Sequence, residues 1–420
     1  MYCPNWQVGV AGDADVAAIN PETLTDVTPA DFKFRYIDIS SVSESHINWN
    51  SVETVRFADA PSRARRVLRQ GDSLICTVRP MLKSHAFAEW TERDDYICST
   101  GFAVVRSGKK LNPQFLKHLP FSEQVGRQLV AWQCGTNYPA VNERDIRKLR
   151  LPLPSLDEQA SIARILGAVD TAIAQTREAV ERARVLDHSL LHELLERGVT
   201  SERSKKRPAH WQIKRVDEVA EVGSGVTLGR DVSGMKYVEL PYLRVANVQD
   251  GHLDLGTIKT VKVPVNEVDR YRLQPGDVLM TEGGDLDKLG RGTLWEGQIP
   301  DCLHQNHIFR VRANRAMLDP YYFAYLVESD IAKRYFMRVA KRTTNLASTN
   351  KTQVRAFRFP VPPLPEQRRI AGIITAAKKT LQGFIEKEKS LRQLKQSLMH
   401  DLLTGKVRAN HLAMASEIGA

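Results

Sequence analysis

Residue types that suit contacts with a nucleic acid recur at equivalent points of this chain. Lys341 and Arg342 precede the pair Thr344 and Asn345, and a second Thr-Asn pair stands at residues 136–137. Cations bind phosphates regardless of base sequence, whereas Thr and Asn side chains can hydrogen-bond to base edges. A DNA-contacting surface is therefore expected, and its candidate residues are Arg66, Thr136, Asn137, Lys341, Arg342, Thr344, Asn345 and Lys351.

Two plainer interpretations of these residues stay open. The basic clusters at 63–69, 144–150 and 333–342 can be ordinary solvated surface charge, and each Thr-Asn pair can be a loop cap that packs against a helix start. Recurrence of the clusters in both halves favours the DNA interpretation. The formal net charge of +11 and the isoelectric point near 9.4 also favour a polyanionic partner.

Motifs for catalysis are missing from the sequence. It lacks a Gly-x-x-x-x-Gly-Lys-Ser/Thr phosphate loop, an Asn/Asp-Pro-Pro-Tyr/Phe motif of amino-group DNA methyltransferases and a Pro-Cys pair. Asp285, Asp287 and Lys288 come closest to a nuclease cluster but lie in a Gly-rich turn, and His304 with His307 is interpreted as structural. We therefore expect no catalytic residue, metal site or cofactor in this chain.

The cysteines and the N-terminal residues bear on the cellular location of the protein. The five cysteines are scattered without a Cys-x-x-Cys pair, which fits a reducing compartment better than a disulfide framework. The N-terminal residues lack a basic stretch followed by an apolar run, and no continuous apolar window is long enough to span a membrane. A cytoplasmic protein is expected, and its 420 residues predict two or three domains.

The chain also repeats one plan. Residues 151–159 match residues 359–367, and residues 189–195 match residues 397–403 at the same offset. Each copy is a variable globular part followed by a better matched helical part, which is the pattern of an internal duplication. Duplication for stability alone is the alternative to a functional repeat.

A long apolar pattern at helical spacing follows each Pro-rich segment. Because proline disfavours helix interiors and strand centres, the segments around 152–154 and 360–365 are expected to be stiff, extended lead-ins. Apolar steps of three and four then predict a helix of about 40 residues, roughly 60 Å long, in each copy. The first helix is net acidic and the second net basic, which favours antiparallel pairing over separate packing of each helix on its own domain.

Short strands mixed with helices are predicted for both globular parts. Strands are expected near 35–39, 73–78, 102–105, 277–280 and 307–311, because apolar and β-branched residues there are bounded by turn residues. One helix is expected near 113–129 and another near 320–339.

The repeated features resemble one known family. The proline-led segments that end in Glu158-Gln159 and Glu366-Gln367, the long helices and the ending Leu-Leu-Thr-Gly-Lys-Val at 402–407 resemble the specificity subunit of type I restriction–modification systems. The first copy departs from this pattern, since it ends in Leu-Glu-Arg-Gly-Val at 195–199. The specific part of the resemblance covers residues 150–199 and 358–408.

This resemblance implies a fold class and a division of the chain. The fold would be α+β, with two mixed α/β target-recognition domains separated by a pair of long antiparallel helices in a pseudo-twofold internal repeat. The domains implied are target-recognition domain 1 at 1–150, a central conserved region with a spacer helix at 151–200, target-recognition domain 2 at 201–358, a distal conserved region with a spacer helix at 359–408, and a C-terminal tail at 409–420.

The resemblance also implies partners. Each recognition domain would read one half of a split site in double-stranded DNA. Two modification subunits would dock on the conserved part and methylate adenine with S-adenosylmethionine, and restriction subunits would add ATP- and Mg-dependent translocation and cleavage. These cofactors would belong to the partners. Candidates for docking are Glu158, Gln159, Glu366 and Gln367.

Two other classes of function stay open at this stage. The chain can be a single-chain DNA methyltransferase or nuclease with a fused recognition domain, which would transfer methyl groups or cut DNA without partners. It can also be a scaffold that binds only protein, which would show no DNA binding even in complex at low salt.

Overall fold

The chain divides into two units. A computed structural model describes residues 3–43, 46–90, 94–199, 207–284, 289–342 and 347–409. The first unit comprises residues 1–177 and 386–420, and the second comprises residues 178–385. Among the helices described, none is both long and apolar enough to cross a membrane.

The first unit combines small sheets with short helices. Its strands are β1 Gln7–Val10, β2 Ala17–Ile19, β3 Lys33–Ile37, β4 Val42–Ser43, β5 His46–Ile47, β6 Glu53–Arg56, β7 Ala64–Leu68, β8 Ser73–Cys76, β9 Ala86–Phe87, β10 Tyr96–Ser99, β11 Phe102–Ser107 and β12 Arg150–Leu153. Its helices are α1 Pro113–Leu116, α2 Glu123–Trp132 and α3 Glu143–Arg147, followed by the start of the long helix α4 Leu156–Arg197.

Two four-stranded sheets make the centre of this unit. Their orders are β6-β3-β10-β7 and β2-β11-β8-β9, with a parallel pair between β3 and β10. Strands β8 and β10 are buried along their whole length, because both faces of each strand are covered. Their sequences Ser-Leu-Ile-Cys and Tyr-Ile-Cys-Ser accordingly show no alternation of buried and exposed residues.

The second unit repeats this plan. Its strands are β13 Gln212–Arg215, β14 Ala220–Ser224, β15 Tyr237–Leu243, β16 Lys259–Pro264, β17 Asp277–Thr281, β18 Gly283–Gly284, β19 Gly292–Leu294, β20 Leu303–His304, β21 Ile308–Ala313, β22 Lys341–Arg342, β23 Ala347–Ser348 and β24 Arg358–Val361. Its helices are α5 Val216–Val219, α6 Val268–Tyr271, α7 Pro320–Glu328, α8 Asp330–Val339 and α9 Lys351–Ala356, followed by the start of α10 Leu364–Thr404.

Sheet order confirms the predicted internal repeat. The order β14-β21-β17-β19 in the second unit corresponds to β2-β11-β8-β9 in the first, and the parallel pair β15–β20 corresponds to β3–β10. Two mixed α/β units and two long helices are thus present, as the fold-class prediction stated. The α4 and α10 helices each contribute residues to both units.

The two helices predicted near 113–129 and 320–339 are each broken. In the first unit, α1 and α2 are separated by a 3₁₀ turn that contains Pro120, after which Ser122 caps α2 through its side chain. In the second unit, Ser329 has extended backbone angles between α7 and α8. Apolar periodicity continues across such a break, and therefore does not reveal it.

The proline-led segments are extended, as expected, and each also forms a short strand. Pro152 pairs with Val8 in the β1–β12 ladder, and Pro360 pairs with Ile213 in the β13–β24 ladder. Both ladders have only two strands, so the position that lacks an N–H can face the open edge. Each ladder brings the start and the end of one globular part together.

Halves of the long helices run antiparallel within each unit. In the first unit, Asp170 of α4 pairs with Lys395 of α10 (2.6 Å), and Glu158, nearer the start of α4, pairs with Arg408, just past the end of α10. In the second unit, Asp187 lies 3.5 Å from Lys378. The predicted charge pairing of an acidic with a basic helix is therefore seen in both units.

Packing between the helix halves and the sheets supplies each core. In the first unit, Ile162 and Leu166 of α4 cluster with Leu402 of α10 and with Phe115. In the second unit, residues 194 and 195 of α4 cluster with residues 370 and 374 of α10 and with an aromatic group of Phe323, Phe336, Phe357 and Phe359.

Candidate nucleic-acid interface

A tight hairpin presents the first Thr-Asn pair. Cys134 and Ala140 exchange two backbone hydrogen bonds of 2.9 Å, which closes the loop between them. Gly135 has φ +98°, a conformation that a side chain would strain. Thr136 and Asn137 are exposed at the tip of this hairpin. The side chain that caps the following helix α3 belongs to Asn142, so the loop-cap interpretation does not hold for residues 136–137.

A second loop of the first unit lies directly against this hairpin. The Arg79 amide donates to the carbonyl of Pro139 (2.7 Å), and the Val141 amide donates to Thr77 (2.9 Å). The Arg79 guanidinium lies over the ring of Tyr138 at 4.5 Å and donates to the carbonyl of Asn137 (3.0 Å). The two loops therefore form one surface, in which a cation and an aromatic ring are added to the predicted Thr-Asn pair.

The second unit builds the corresponding surface as a three-stranded sheet. Gly283 pairs with Ser348, which also pairs with Lys341, so that β18, β23 and β22 lie side by side. A cleft of about 570 Å³ opens beside them and is lined by Val245, Glu282, Gly283, Gly284, His307, Lys341, Ala347 and Ser348. Thr344 and Asn345 follow β22 in sequence but lie outside the described residues, as do Asp285, Asp287 and Lys288.

Cations at this surface of the second unit are available for anions. Lys341 and Arg342 are exposed, and Arg342 donates to the carbonyl of Met337 (2.6 Å). Lys351 is the first residue of α9, whose N-cap is Asn350, and burial lowers the pKa of Lys351. Within the described ranges, no carboxylate lies within ion-pair distance of these three cations, although Glu221 favours the charged form of Lys351 and Glu282 lines the same cleft as Lys341.

Arg66 is engaged inside the first unit instead. Its guanidinium donates to the Thr23 hydroxyl (3.2 Å) and lies 3.5 Å from the Glu143 carboxylate. Its neighbours are also paired, Arg63 with Asp38 and Arg69 with Glu22. The predicted cluster at 63–69 is thus largely neutralised by acids distant in sequence, and the structure does not bring Arg66 to the hairpin tip.

The glutamines of the two Glu-Gln pairs work as internal clamps. Gln159 accepts from the Asn112 amide (2.7 Å) and donates to the carbonyls of Lys110 and Pro154 (2.9 Å each). Both Gln159 and its counterpart Gln367 have no exposed surface. The hydrogen-bonding groups of these two amides bind backbone atoms of the unit in which they lie, and a docking role for them stays a prediction.

Gln367 makes the equivalent bonds in the second unit. Its side chain accepts from the Asp319 amide (2.8 Å) and donates to the carbonyls of Met317 (3.0 Å) and Pro362 (2.8 Å). Each glutamine thus ties the loop before a short helix to the start of a long helix, and this explains why the residue recurs at the same point of both copies.

The glutamates hold a tryptophan in each unit. The Trp6 indole donates to Glu158 (3.2 Å), and the Trp211 indole donates to Glu366 (3.2 Å). Glu158 is almost completely buried and forms a two-pronged ion pair with Arg408 at 2.6 and 2.7 Å. Glu366 keeps part of its surface exposed, so that of the four docking candidates it is the most accessible.

Histidines give no support to a metal site. His304 is fully buried with Nδ1 beside the Tyr271 carbonyl, whereas His307 pairs with Glu282 on the surface. Burial lowers the pKa of His304 to about 4, so the ring is neutral at ordinary pH. In the part of the chain that the structure describes, no three His, Cys, Asp or Glu side chains are grouped to hold a metal ion.

Sequence reasoning missed Arg79 and Tyr138. Both lie outside the basic clusters, and the contact that joins them connects residues far apart in the chain. The sequence Arg-Pro-Met-Leu-Lys at 79–83 places an apolar pair between two cations, but the exposure of that pair is visible only in the structure.

Comparison with known families agrees with the duplicated plan. The family model for the type I restriction modification DNA specificity domain matches residues 70–182 and 208–395. The chain belongs to this family of DNA specificity domains.

One similar protein is itself named as a specificity subunit. The type I restriction enzyme MjaX specificity subunit of Methanocaldococcus jannaschii is 30% identical over 217 residues, which is 50% of this chain and 50% of that protein. This match therefore spans half the length of the relative.

Solved structures share the fold. A chain from work on complex assembly and conformational transition of the type I R-M system superposes with a TM-score of 0.60 at 24% identity, covering 97% of this chain and 100% of that one. The HsdS subunit from Thermoanaerobacter tengcongensis gives a TM-score of 0.50 at 24% identity, covering 97% and 98%.

Proposed function

We propose that this chain reads a bipartite site in double-stranded DNA for a type I restriction–modification complex. The chain itself would have no catalytic centre. The observation that carries this proposal is the hairpin surface that recurs in both units, flanked by cations without a carboxylate partner among the described residues. Two such surfaces in a chain of a DNA-specificity family are suited to read two half-sites.

The partners would supply the chemistry. Two modification subunits would dock on the conserved regions and methylate adenine, and restriction subunits would translocate and cut the DNA. S-adenosylmethionine, ATP and Mg would be bound by those subunits. The subunit would act in the cytoplasm, which fits its five free cysteines.

The residue types indicate which side chains would contact phosphates and which would contact bases. Lys341, Arg342 and Lys351 would contact phosphates of the half-site at the second unit, which contributes affinity without selecting a sequence. Thr136 and Asn137 would contact base edges at the first unit, where a well-placed contact discriminates by about 1–3 kcal/mol.

Removal of two cations tests the proposal. The variant Lys341→Ala/Arg342→Ala should bind duplex DNA about ten- to a hundredfold more weakly near 0.1 M salt, and the slope of log affinity against log salt should fall by about 2. The control variant is Lys333→Ala/Arg334→Ala, because these cations of the same unit already pair with Asp250 and Glu196.

Fluorescence anisotropy of the full chain assembled with its modification subunits measures both quantities. Equal binding by the two double variants at every salt concentration would contradict the assignment of Lys341 and Arg342. Methyl transfer by the purified chain alone would instead support a single-chain methyltransferase.

A further inference from the structure

The first unit exposes an apolar pair at the apex of a turn beside the Thr-Asn hairpin. Met81 is 58% exposed and Leu82 is 66% exposed, although both belong to one 3₁₀ turn with the buried Pro80. Exposed apolar surface has an unfavourable free energy of about 25 cal/mol per Å². Two large apolar side chains side by side on an exposed turn form a small apolar surface that a partner could cover.

The backbone fixes this apex rigidly. Arg79 and Lys83, on either side of the turn, both have left-handed angles, with φ +48° and +53°. Such a conformation is strained for residues with a side chain and persists only where the surroundings enforce it. Here the Arg79 amide is bound by Pro139, and the amides of Leu82 and Lys83 donate to Arg79 (2.9 Å) and Pro80 (3.0 Å). The apolar pair is thus preorganised rather than free to fold back onto the surface.

Charge around the apex identifies the kind of partner. Arg79 and Lys83 flank the apolar pair, and within the described part of the chain neither lies within ion-pair distance of a carboxylate. Lys83 donates weakly to the carbonyl of Phe121 (3.4 Å), and Arg79 stacks on Tyr138, which is 70% exposed. A protein partner would have to place a carboxylate on each side of an apolar socket to match this pattern. A duplex offers phosphates to the cations and the faces of bases to the apolar side chains.

We propose that Met81 and Leu82 enter the base stack of the first half-site as an apolar wedge. The inference rests on the proposed function and deepens it, because it assigns part of the sequence selection to the ease with which one base step opens. Arg79 and Lys83 hold the phosphates on either side of the opened step. Thr136 and Asn137 remain the direct base contacts, adjacent to the wedge through the bond from Arg79 to Asn137.

Unstacking provides a direct readout. The probe is a set of duplexes that carry the motif methylated in the host, each with 2-aminopurine at one position of the first half-site. The full chain, assembled with its modification subunits, should raise the fluorescence at one step of this half-site. The variant Met81→Ser/Leu82→Ser should remove that rise and bind about tenfold more weakly or worse, with an unchanged salt slope because both cations remain.

A mismatch at the same step gives a second, independent test. Since a mismatch removes most of the cost of unstacking, it should tighten binding by the native chain several-fold. It should leave binding by the Met81→Ser/Leu82→Ser variant unchanged, because this variant does not open the step. Val27→Ser is the matched control, since Val27 is 90% exposed in the same unit and lies outside the apex.

The outcomes separate the wedge from the general proposal. If the native complex does not bind the motif at all, the proposed function fails together with the wedge. If it binds, but Met81→Ser/Leu82→Ser changes neither affinity nor fluorescence relative to Val27→Ser, the wedge alone is overturned. Normal DNA binding by Met81→Ser/Leu82→Ser combined with loss of a modification subunit would show that the apex docks a protein, which also overturns the wedge.

Discussion

Replacement of the buried clamp Gln367 by leucine should destabilise the second unit. The substitution keeps the size of the side chain but removes three hydrogen bonds of 2.8–3.0 Å to backbone groups of Asp319, Met317 and Pro362. A buried polar group that loses its partner costs about 1–3 kcal/mol. Because the Asp319 and Met317 groups are only partly buried, we expect a loss of about 2–4 kcal/mol in total.

Thermal unfolding followed by circular dichroism measures this loss. For a unit of this size, a loss of about 2–4 kcal/mol corresponds to a melting temperature lower by about 5–15 °C. The control is Gln393→Leu on the same helix, where the side chain is exposed and leucine has a similar helix propensity. Gln159→Leu should reproduce the effect in the first unit, since that amide makes the equivalent three bonds.

A different result would favour the docking role expected from the sequence. If Gln367→Leu melts within about 1 °C of Gln393→Leu but no longer assembles with a modification subunit, the clamp argument is wrong. The amide would then serve the partner rather than the fold.

Three further outcomes follow from buried groups. Burial lowers the pKa of His85, His118 and His304 to about 4, so the unfolded chain binds their protons at a higher pH than the folded chain does. The free energy of unfolding should therefore fall as the pH drops from about 6.5 towards 4, by up to about 3 kcal/mol for each histidine. Melting temperature against pH measures this, and a His→Gln variant at each position should reduce the slope. Lys378 lies 2.9 Å from the buried carboxylate of Glu328, whose pKa is raised by burial. Lys378→Met leaves this carboxylate without its cation and should lower the free energy of unfolding in urea by about 2–4 kcal/mol. Adding Glu328→Gln should recover part of the loss. A thiol reagent should label Cys134, the exposed cysteine, within the time in which the three buried thiols stay unmodified, and mass spectrometry of peptides distinguishes them.

Repetition and periodicity made the long helices predictable. The match between 151–159 and 359–367 fixed where each helix begins, and α4 and α10 start within a few residues of those segments. The charge difference between the helices correctly indicated their pairing within each unit, as the Asp170–Lys395 contact shows. These features depend on residues close in sequence or on a constant offset, which a single sequence reveals.

Contacts between distant residues limited the prediction of the site. The cluster around Arg66 looked available for DNA, but Glu143 and other acids far along the chain neutralise most of it. The apex at Met81 was not expected, because its exposure depends on the hairpin that holds Arg79 in place. The Glu-Gln pairs were found, whereas the clamp made by Gln367 requires knowledge of which loop passes beside it.

A chimera with the same globular part in both positions tests most directly the central claim that each globular part reads one half-site. The ladders that close the two globular parts end at equivalent points, Val10 opposite Arg150 and Arg215 opposite Arg358. Residues 11–149 can therefore be replaced by residues 216–357 while both ladders and both long helices are kept. Adenine methylation is then mapped across the genome of cells that carry the chimera with its modification subunits. We predict a motif in which the second half-site occurs twice, and a motif that still contains both original half-sites would contradict the account.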